Sequence, residues 1–280
     1  MTKGVILIAR NNSSIDYIKQ AVFCADRIIR YLNIPVSLIT DNISYLEKHY
    51  PTHPFDQLIE IDNTIDYTRK GYKDGLYSST NLEFKNTARS NVYTLTPYNE
   101  TIVMDTDYII SNDILNNCFD QTSDIMMYKD AVELSNWRDL SEFKYISPNS
   151  IDFYWATVVF FRKSEITETF FNLVTHIQQT YQHYRNVYQI KNGTFRNDFA
   201  FSIAVHIMNG HKSGNFIKQL PGTLYYITDR DICHSIDDTK FKFLVEKQDS
   251  SGYYPVTIAN SSMHVINKFS LNRIIDELYS

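Results

Sequence analysis

Cysteine is scarce in this 280-residue chain: Cys24, Cys118 and Cys233 are scattered, without a C-x-x-C pair. An odd, dispersed set argues against a disulfide framework and makes a reducing cytosol the expected compartment. Glycine-rich phosphate loops are missing too. Neither G-x-G-x-x-G nor a Walker sequence occurs, which disfavours a dinucleotide fold or a P-loop enzyme. The N-terminal apolar run, Val5 to Ala9, is too short for a signal-peptide core or a membrane span. With eight glycines, seven prolines, no low-complexity tract and no repeat, nothing marks a linker, so one domain is the default. A basic excess is also absent. The net charge of −5 argues against a broad nucleic-acid footprint, although a local basic groove stays open.

What is present is a hydrophobic content of 43%, enough to fill the core of an α/β domain. Gly4 to Ala9 reads as a fully buried strand, and Arg10 to Ser14 as the turn after it. Apolar residues at spacings of three and four from Ile15 to Leu32 predict a helix, and Pro35 to Thr40 a second strand that ends at Asp41. This opening indicates a parallel sheet with its chemistry at the carboxyl ends of the strands. Further strands are expected at 58–61, 124–129 and 156–162, an irregular loop at 63–80, and helices at about 81–95, 165–184, 197–209 and 270–279. The last eighty residues read otherwise as short strands, with His264 after one of them.

The run Glu100 to Ile110 is the most informative stretch, because Asp105 and Asp107 interrupt an apolar strand. On a strand the two carboxylates share a face, about 6.6 Å apart. Like charges beside buried residues need a cation or hydrogen-bond donors to compensate them. A hard divalent ion, Mg²⁺ or Mn²⁺, is the simplest compensation and takes phosphate oxygens as further ligands, which suits a nucleotide diphosphate. The competing reading is a strand that ends in a polar turn, with one Asp capping a helix.

With the D-x-D at the end of a central strand, the chain resembles a GT-A glycosyltransferase along most of its length. Four segments carry the likeness: Ala9-Arg-Asn-Asn12, the unit from Lys85 and Arg89 to Asp105-Thr-Asp107, Tyr154-Trp-Ala-Thr-Val-Val-Phe160, and Met263-His-Val-Ile-Asn-Lys268. It is most similar to the retaining family that includes glycogenin and the bacterial galactosyltransferases. That family's His-to-Lys interval is longer and contains a Gly, and its acidic residue after the first strand is replaced here by Asn11. Composition and compact size are also similar to those of glycosyltransferases of bacteria and T-even-like phages. The fold implied is α/β: a single Rossmann-like mixed sheet flanked by helices, spanning 1–280 as one domain. Residues 1–110 would form the nucleotide-binding half, and 111–280 the acceptor side with the C-terminal metal and diphosphate segment.

By the same resemblance Asp105, Asp107 and His264 would hold Mn²⁺ or Mg²⁺, and Lys268 the diphosphate. Ala9, Arg10, Asn11 and Tyr17 would lie where the family holds base and ribose. Asp41 would reach the base or cap a turn. Lys85 and Arg89 would face phosphate or Asp105, or sit as solvated cations on a helix. Asp198, at a helix start with Asn197 before it, is the candidate catalytic carboxylate, its alternative role being a helix cap. Trp155 would stack on a sugar or belong to the core, and Asp130 is a further sugar-binding candidate. The activity implied is transfer of a sugar from a nucleotide diphosphate sugar, uridine-linked by the resemblance, to the hydroxyl of a glycan, a protein or a hydroxymethylated phage DNA base. Nucleic acid enters only as an acceptor. A sugar nucleotidyltransferase would carry a Gly-rich loop, and a haloacid-dehalogenase-like phosphatase would have its D-x-D near the N-terminus. A sugar- or nucleotide-binding protein on a transferase scaffold is the non-enzymatic alternative.

Overall fold

A computed structural model describes residues 2–62, 68–135, 137–138, 143–148, 150–191 and 193–279. The first strand, Lys3–Ala9, is central because its middle residues are apolar on both faces and are shielded from water. It pairs in parallel with Val36–Thr40 on one side and with Glu100–Met104 on the other, while Gln57–Glu60 extends the sheet beyond Val36–Thr40. Direction then reverses. Trp155–Arg162 runs antiparallel to Glu100–Met104, and Ile125–Tyr128 and Lys218–Gln219 complete a seven-stranded mixed sheet. The reversal gives the site its wall, since the start of Trp155–Arg162 comes to the edge where the parallel strands end.

Helices flank this sheet. Tyr17–Leu32 starts where the Asp16 carboxylate accepts from the Lys19 amide at 2.9 Å and ends at Asn33, whose φ of 52° is the left-handed conformation of a helix C-terminus. It packs on the first two strands and on the C-terminal helix Lys268–Tyr279. Asn197–Met208, apolar almost all round, covers Trp155–Arg162 and is covered in turn by Glu165–Gln179. The four-stranded second sheet, in the order Tyr108–Ile109, Met263–Val265, Leu224–Ile227 and Ala131–Glu133, is the platform that carries His264. The antiparallel meander Ile232–Asp237, Lys240–Glu246 and Tyr253–Ala259 stands beside it. No helix among the described residues is long and apolar enough to cross a membrane, and all three cysteines are buried and free.

Four expectations need correction. Residues 68–84 of the expected loop and helix form a hairpin, Thr68–Lys73 against Ser79–Phe84, and 63–67 lie outside the described residues. Its apolar side chains are few, and Tyr72, Leu82 and Phe84 gather against Ile15 and Phe269 only when the strands pair. The helix expected over 81–95 is therefore lost to this pairing at its start. What remains is a 3₁₀ turn, Thr87–Asn91, and one α-turn, Val92–Leu95. The helix expected over 165–184 divides at Thr180, whose hydroxyl donates to the His176 carbonyl at 2.6 Å. Finally, the D-x-D strand stops at Met104, and Asp105, Thr106 and Asp107 form a turn closed by the Tyr108 amide on the Asp105 carbonyl at 3.1 Å. The same-face spacing of a strand does not apply to the two carboxylates.

Gly4 is the tightest point of the central strand. A Cβ there would come within 3.0 Å of three atoms of the Tyr98 ring, whose hydroxyl is held at 2.6 Å from the Ser37 hydroxyl. Because that ring cannot retreat without breaking a buried hydrogen bond, Gly4→Ala is expected to lower unfolding stability by about 2 kcal/mol, as overpacking does. Urea denaturation checks this, and an unchanged midpoint would mean that the ring is free to move.

Candidate active site

The carboxyl ends of three parallel strands bring Arg10, Asp41 and Asp105 to one edge of the sheet, and the start of Trp155–Arg162 closes it from the side. A cavity of about 790 Å³ opens there. Among the described residues nine arginines and lysines line it against four aspartates, a strongly positive cleft in a chain of net charge −5. Such a cleft suits a polyanionic ligand.

Asp105 and Asp107 face cations from distant segments. Lys268, the first residue of the C-terminal helix, is ion-paired with Asp107, and Arg89 from the 3₁₀ turn is ion-paired with Asp105. The His264 Nε2 lies 3.1 Å from Asp107 Oδ2 and 4.0 Å from Asp105 Oδ2. Backbone pairing sets that approach, because His264 stands opposite Tyr108 and the Val265 amide donates to the Asp107 carbonyl at 2.9 Å. The other ring nitrogen, Nδ1, sits 3.3 Å from the Thr157 hydroxyl, which fixes the ring plane. Burial opposes the charge on Asp107, yet Lys268 and then His264 outweigh it and hold this carboxyl well below the usual range. Asp105 shifts upward, since enclosure in the cleft outweighs Arg89 and Asp107 adds to it.

One ligand atom from each of Asp105, Asp107 and His264 lies within 4.8 Å of the others. Two carboxylates and an imidazole are a donor set that fits a hard to borderline divalent ion such as Mn²⁺ or Mg²⁺. Lys268, ion-paired with Asp107, adds positive charge to the same carboxylate.

The remaining expected residues divide by position. Arg10 lines the cavity and is buried, its Nε donating to Asp41 Oδ2 at 3.1 Å while Nη2 has no partner among the described residues. Lys85 donates to the same Asp41 oxygen at 3.0 Å, so Asp41 serves as a clasp for two cations behind the cavity wall. Neither Lys85 nor Arg89 stands on a regular α-helix. Tyr17 lines the cavity, and its hydroxyl meets that of Tyr72 at 3.1 Å. Ala9 is fully buried, and Ile8 rather than Ala9 reaches the cavity. Asn11 does not line it either: its side chain donates to Asp16 at 3.0 Å and accepts from the Ile18 amide at 3.0 Å, fixing the start of the first helix. Asp130 is exposed and away from the cavity.

Trp155 belongs largely to the core, 1% exposed and packed between Phe143 and Tyr226 at 5.0 Å each, with its edge against His264. Trp155 lines the cavity, and its buried Nε1 has no partner among the described residues. Asp198 accepts from the Ala156 amide at 2.9 Å and from Arg196 at 2.8 Å, so its carboxylate is fixed by the strand behind it. Asn197 lines the cavity, its amide nitrogen donating to the Asn86 carbonyl at 3.0 Å while Oδ1 has no partner among the described residues.

Sequence reasoning missed Arg69 and Lys70 on the hairpin, and Trp137, Arg138 and Arg230, all of which line the cavity. The one available signal was the density of cations in 69–73 of a chain that is otherwise acidic.

No family model and no curated protein matches the chain. Among solved structures it is similar to the glycosyltransferase GlyE of Streptococcus pneumoniae TIGR4, with a TM-score of 0.45 and 11% identity over 79% of this chain and 45% of that one. It is also similar to the bifunctional IspDF of Campylobacter jejuni, at 0.40 and 13% over 79% and 50%, and to the bifunctional glycosyltransferase WbbM, at 0.38 and 12% over 63% and 34%. The chain thus spans half or less of the length of each of these proteins.

Because the Lys268 ammonium and a divalent ion compete for the Asp107 carboxylate, Lys268→Met is expected to bind Mn²⁺ more tightly in the absence of nucleotide. A unit charge at ion-pair distance is worth over a kcal/mol even when well screened, so the gain should be about tenfold or more. Titration calorimetry measures it, and weaker binding in the variant would show that Lys268 does not occupy the ion's position.

Proposed function

We propose that this chain is a metal-dependent glycosyltransferase of the GT-A type that takes a uridine diphosphate sugar and transfers the sugar with retention to an acceptor hydroxyl. The observation that carries the reading is the meeting of Asp105, Asp107, His264 and Lys268, from two distant chain segments, at the carboxyl edge of the sheet. Asp105, Asp107 and His264 are the residues that would hold the ion. A divalent ion there supplies Lewis-acid compensation to a departing diphosphate.

The protein's own groups supply the rest of the site. Lys268 and Arg89 bring positive charge to the diphosphate from either side of the carboxylate pair. Arg10 offers its unpartnered Nη2 to a carbonyl of the base. Asn197 offers Oδ1 to a sugar hydroxyl, and Asp198 beside it balances Arg196 and anchors the helix start against Ala156. Since the Asp198 carboxylate is committed to those partners, the acceptor proton passes to the leaving phosphate oxygen, the course that goes with retention. The buried free thiols agree with action in a reducing cytosol.

A panel of nucleotide sugars incubated with Mn²⁺ tests the reading. Slow release of sugar from a uridine-linked donor is expected, along with loss of at least about a hundredfold in Asp107→Asn and His264→Ala at nearly unchanged melting temperature, as removal of a metal ligand produces. Asp198 also lines the cavity, so Asp198→Asn, which removes a negative charge facing the positive charge that develops on the transferred sugar, should keep donor affinity and lose kcat. Normal turnover in Asp107→Asn would sink the mechanism.

A further inference from the structure

The hairpin Thr68–Phe84 bears on the cleft in a way that the metal site does not require. It is not a loose flap. Asp74 at its turn is ion-paired with Arg273 of the C-terminal helix at 2.6 Å, and Gly75, at a φ of 77°, donates its amide to the Asp229 carbonyl at 3.1 Å. The Leu76 amide donates to the Tyr253 hydroxyl at 2.8 Å. Tyr72, one residue in from the turn, meets the Tyr17 hydroxyl at 3.1 Å, and toward the open end the Asn12 side chain donates to the carbonyl of Glu83, the residue paired with Arg69, at 2.9 Å. Arg69 and Lys70 therefore stand over the cavity on a fixed strand.

These two cations differ from the others in the cleft. Arg10 and Lys85 share Asp41, Arg89 holds Asp105, Arg196 holds Asp198, Lys268 holds Asp107, and Arg138 and Arg230 hold Glu246. Arg69 and Lys70 have no carboxylate at ion-pair distance among the described residues. The Lys70 ammonium instead lies over the rings of Phe84 and Tyr72, at 4.8 and 5.3 Å, which holds it in place without neutralising it. Burial first, then Lys268 and Arg196, lower its pKa to about 8 against the opposing pull of Asp229 and Asp107. An anion would relieve that strain on the charge.

We propose that Lys70, with Arg69 at the mouth of the cleft, forms a phosphate subsite that receives the diphosphate of the donor. The assignment of that phosphate to a sugar donor rests on the transferase reading above. With a divalent ion on two carboxylates and Lys268 and Arg89 beside them, the metal site's surplus charge already matches that of a doubly ionised diphosphate ester. Transfer changes this balance. The bond from the anomeric carbon to the phosphate oxygen breaks and its electron pair stays on that oxygen. The acceptor hydroxyl oxygen bonds to the carbon, and its proton goes to the phosphate and then to water. The released nucleotide diphosphate ends with one more negative charge than it had in the donor, and Lys70 is the cation left to face it.

The subsite has a consequence in the absence of metal, where Lys268 and Arg89 are both engaged by the D-x-D carboxylates while Lys70 is not. Inorganic pyrophosphate, titrated calorimetrically into the whole chain in EDTA, should bind. Loss of one charge-assisted contact in Lys70→Met, which keeps the packing on the two rings, should weaken it about tenfold or more. Lys70→Arg should retain most of the affinity, and Lys212→Met, at an exposed site, should change nothing. Equal affinity in Lys70→Met and the wild type, or no binding by the wild type in EDTA, would overturn the subsite. Failure of the transferase reading is a separate result: pyrophosphate bound through Lys70 by a protein that turns over no nucleotide sugar with Mn²⁺.

Discussion

Two carboxylates on one tight turn, at the end of a buried strand, are the constraint around which the site is built. Desolvated charges of like sign repel, and positive groups reach this turn from elsewhere in the chain to compensate them. Arg89 comes from the segment before the strand, Lys268 from the start of the last helix, and His264 from the second sheet. Each is held in place by something unrelated to the carboxylates. Arg89 also donates to the Ala156 carbonyl, the Gln20 amide donates to the Lys268 carbonyl at 3.2 Å, and His264 is paired on both sides within its sheet. The second sheet is thus as much a part of the site as the first.

A second charged cluster shapes the cleft without entering its chemistry. Glu133, Asp231 and Glu246 are almost completely buried, and Arg138 reaches all three, donating to Asp231 at 2.7 and 2.8 Å and to Glu246 at 3.1 Å. Trp137 adds a hydrogen bond to the Glu246 carbonyl at 2.9 Å. Removing one member of such a group leaves the others desolvated and unpaired, which costs about 3–5 kcal/mol. The cluster therefore fastens Trp137 and Arg138 to the meander and keeps them on the cavity wall. Its three carboxylates share two arginines, Arg138 and Arg230.

The sequence made the central architecture legible because the decisive signals were local. Val5 to Leu7, Leu38 and Ile39, and Ile102 to Met104 are apolar on both faces, a pattern that only an internal strand satisfies, and the first helix carries its period and its cap within one segment. The D-x-D was legible for a similar reason, as charge inside an apolar run. What escaped notice depends on pairing. Tyr72, Leu82 and Phe84 form a cluster only across the hairpin, and the spacing of Phe84, Ala88, Val92 and Leu95 imitates a helix that the hairpin pre-empts. The roles of Asn11 and Asp41 were equally hidden: both are polar residues after strands, and their partners Asp16, Arg10 and Lys85 decide that they build the wall instead of lining it.

The hairpin and the C-terminal helix form one unit, which bears on how the cleft keeps its shape. Asp74 joins the hairpin turn to Arg273 on the last helix, and the Asn267 side chain immediately before that helix donates to the Asp231 carbonyl at 2.7 Å. Lys268 and Lys70 are therefore carried by two elements tied to each other and to the strand beginning at Ile232. Repulsion between their ammonium groups cannot be relieved by parting these elements without breaking the Asp74 pair and exposing Phe269 and Tyr72. Loss of the Lys70 proton, which the lowered pKa makes easier, relieves it without disturbing the fold, and an anion between the two lysines would relieve it with both charges kept. The packing that fixes the hairpin thus turns an unfavourable charge arrangement into affinity for phosphate, by the same logic that makes the buried Asp105 and Asp107 pair call for cations.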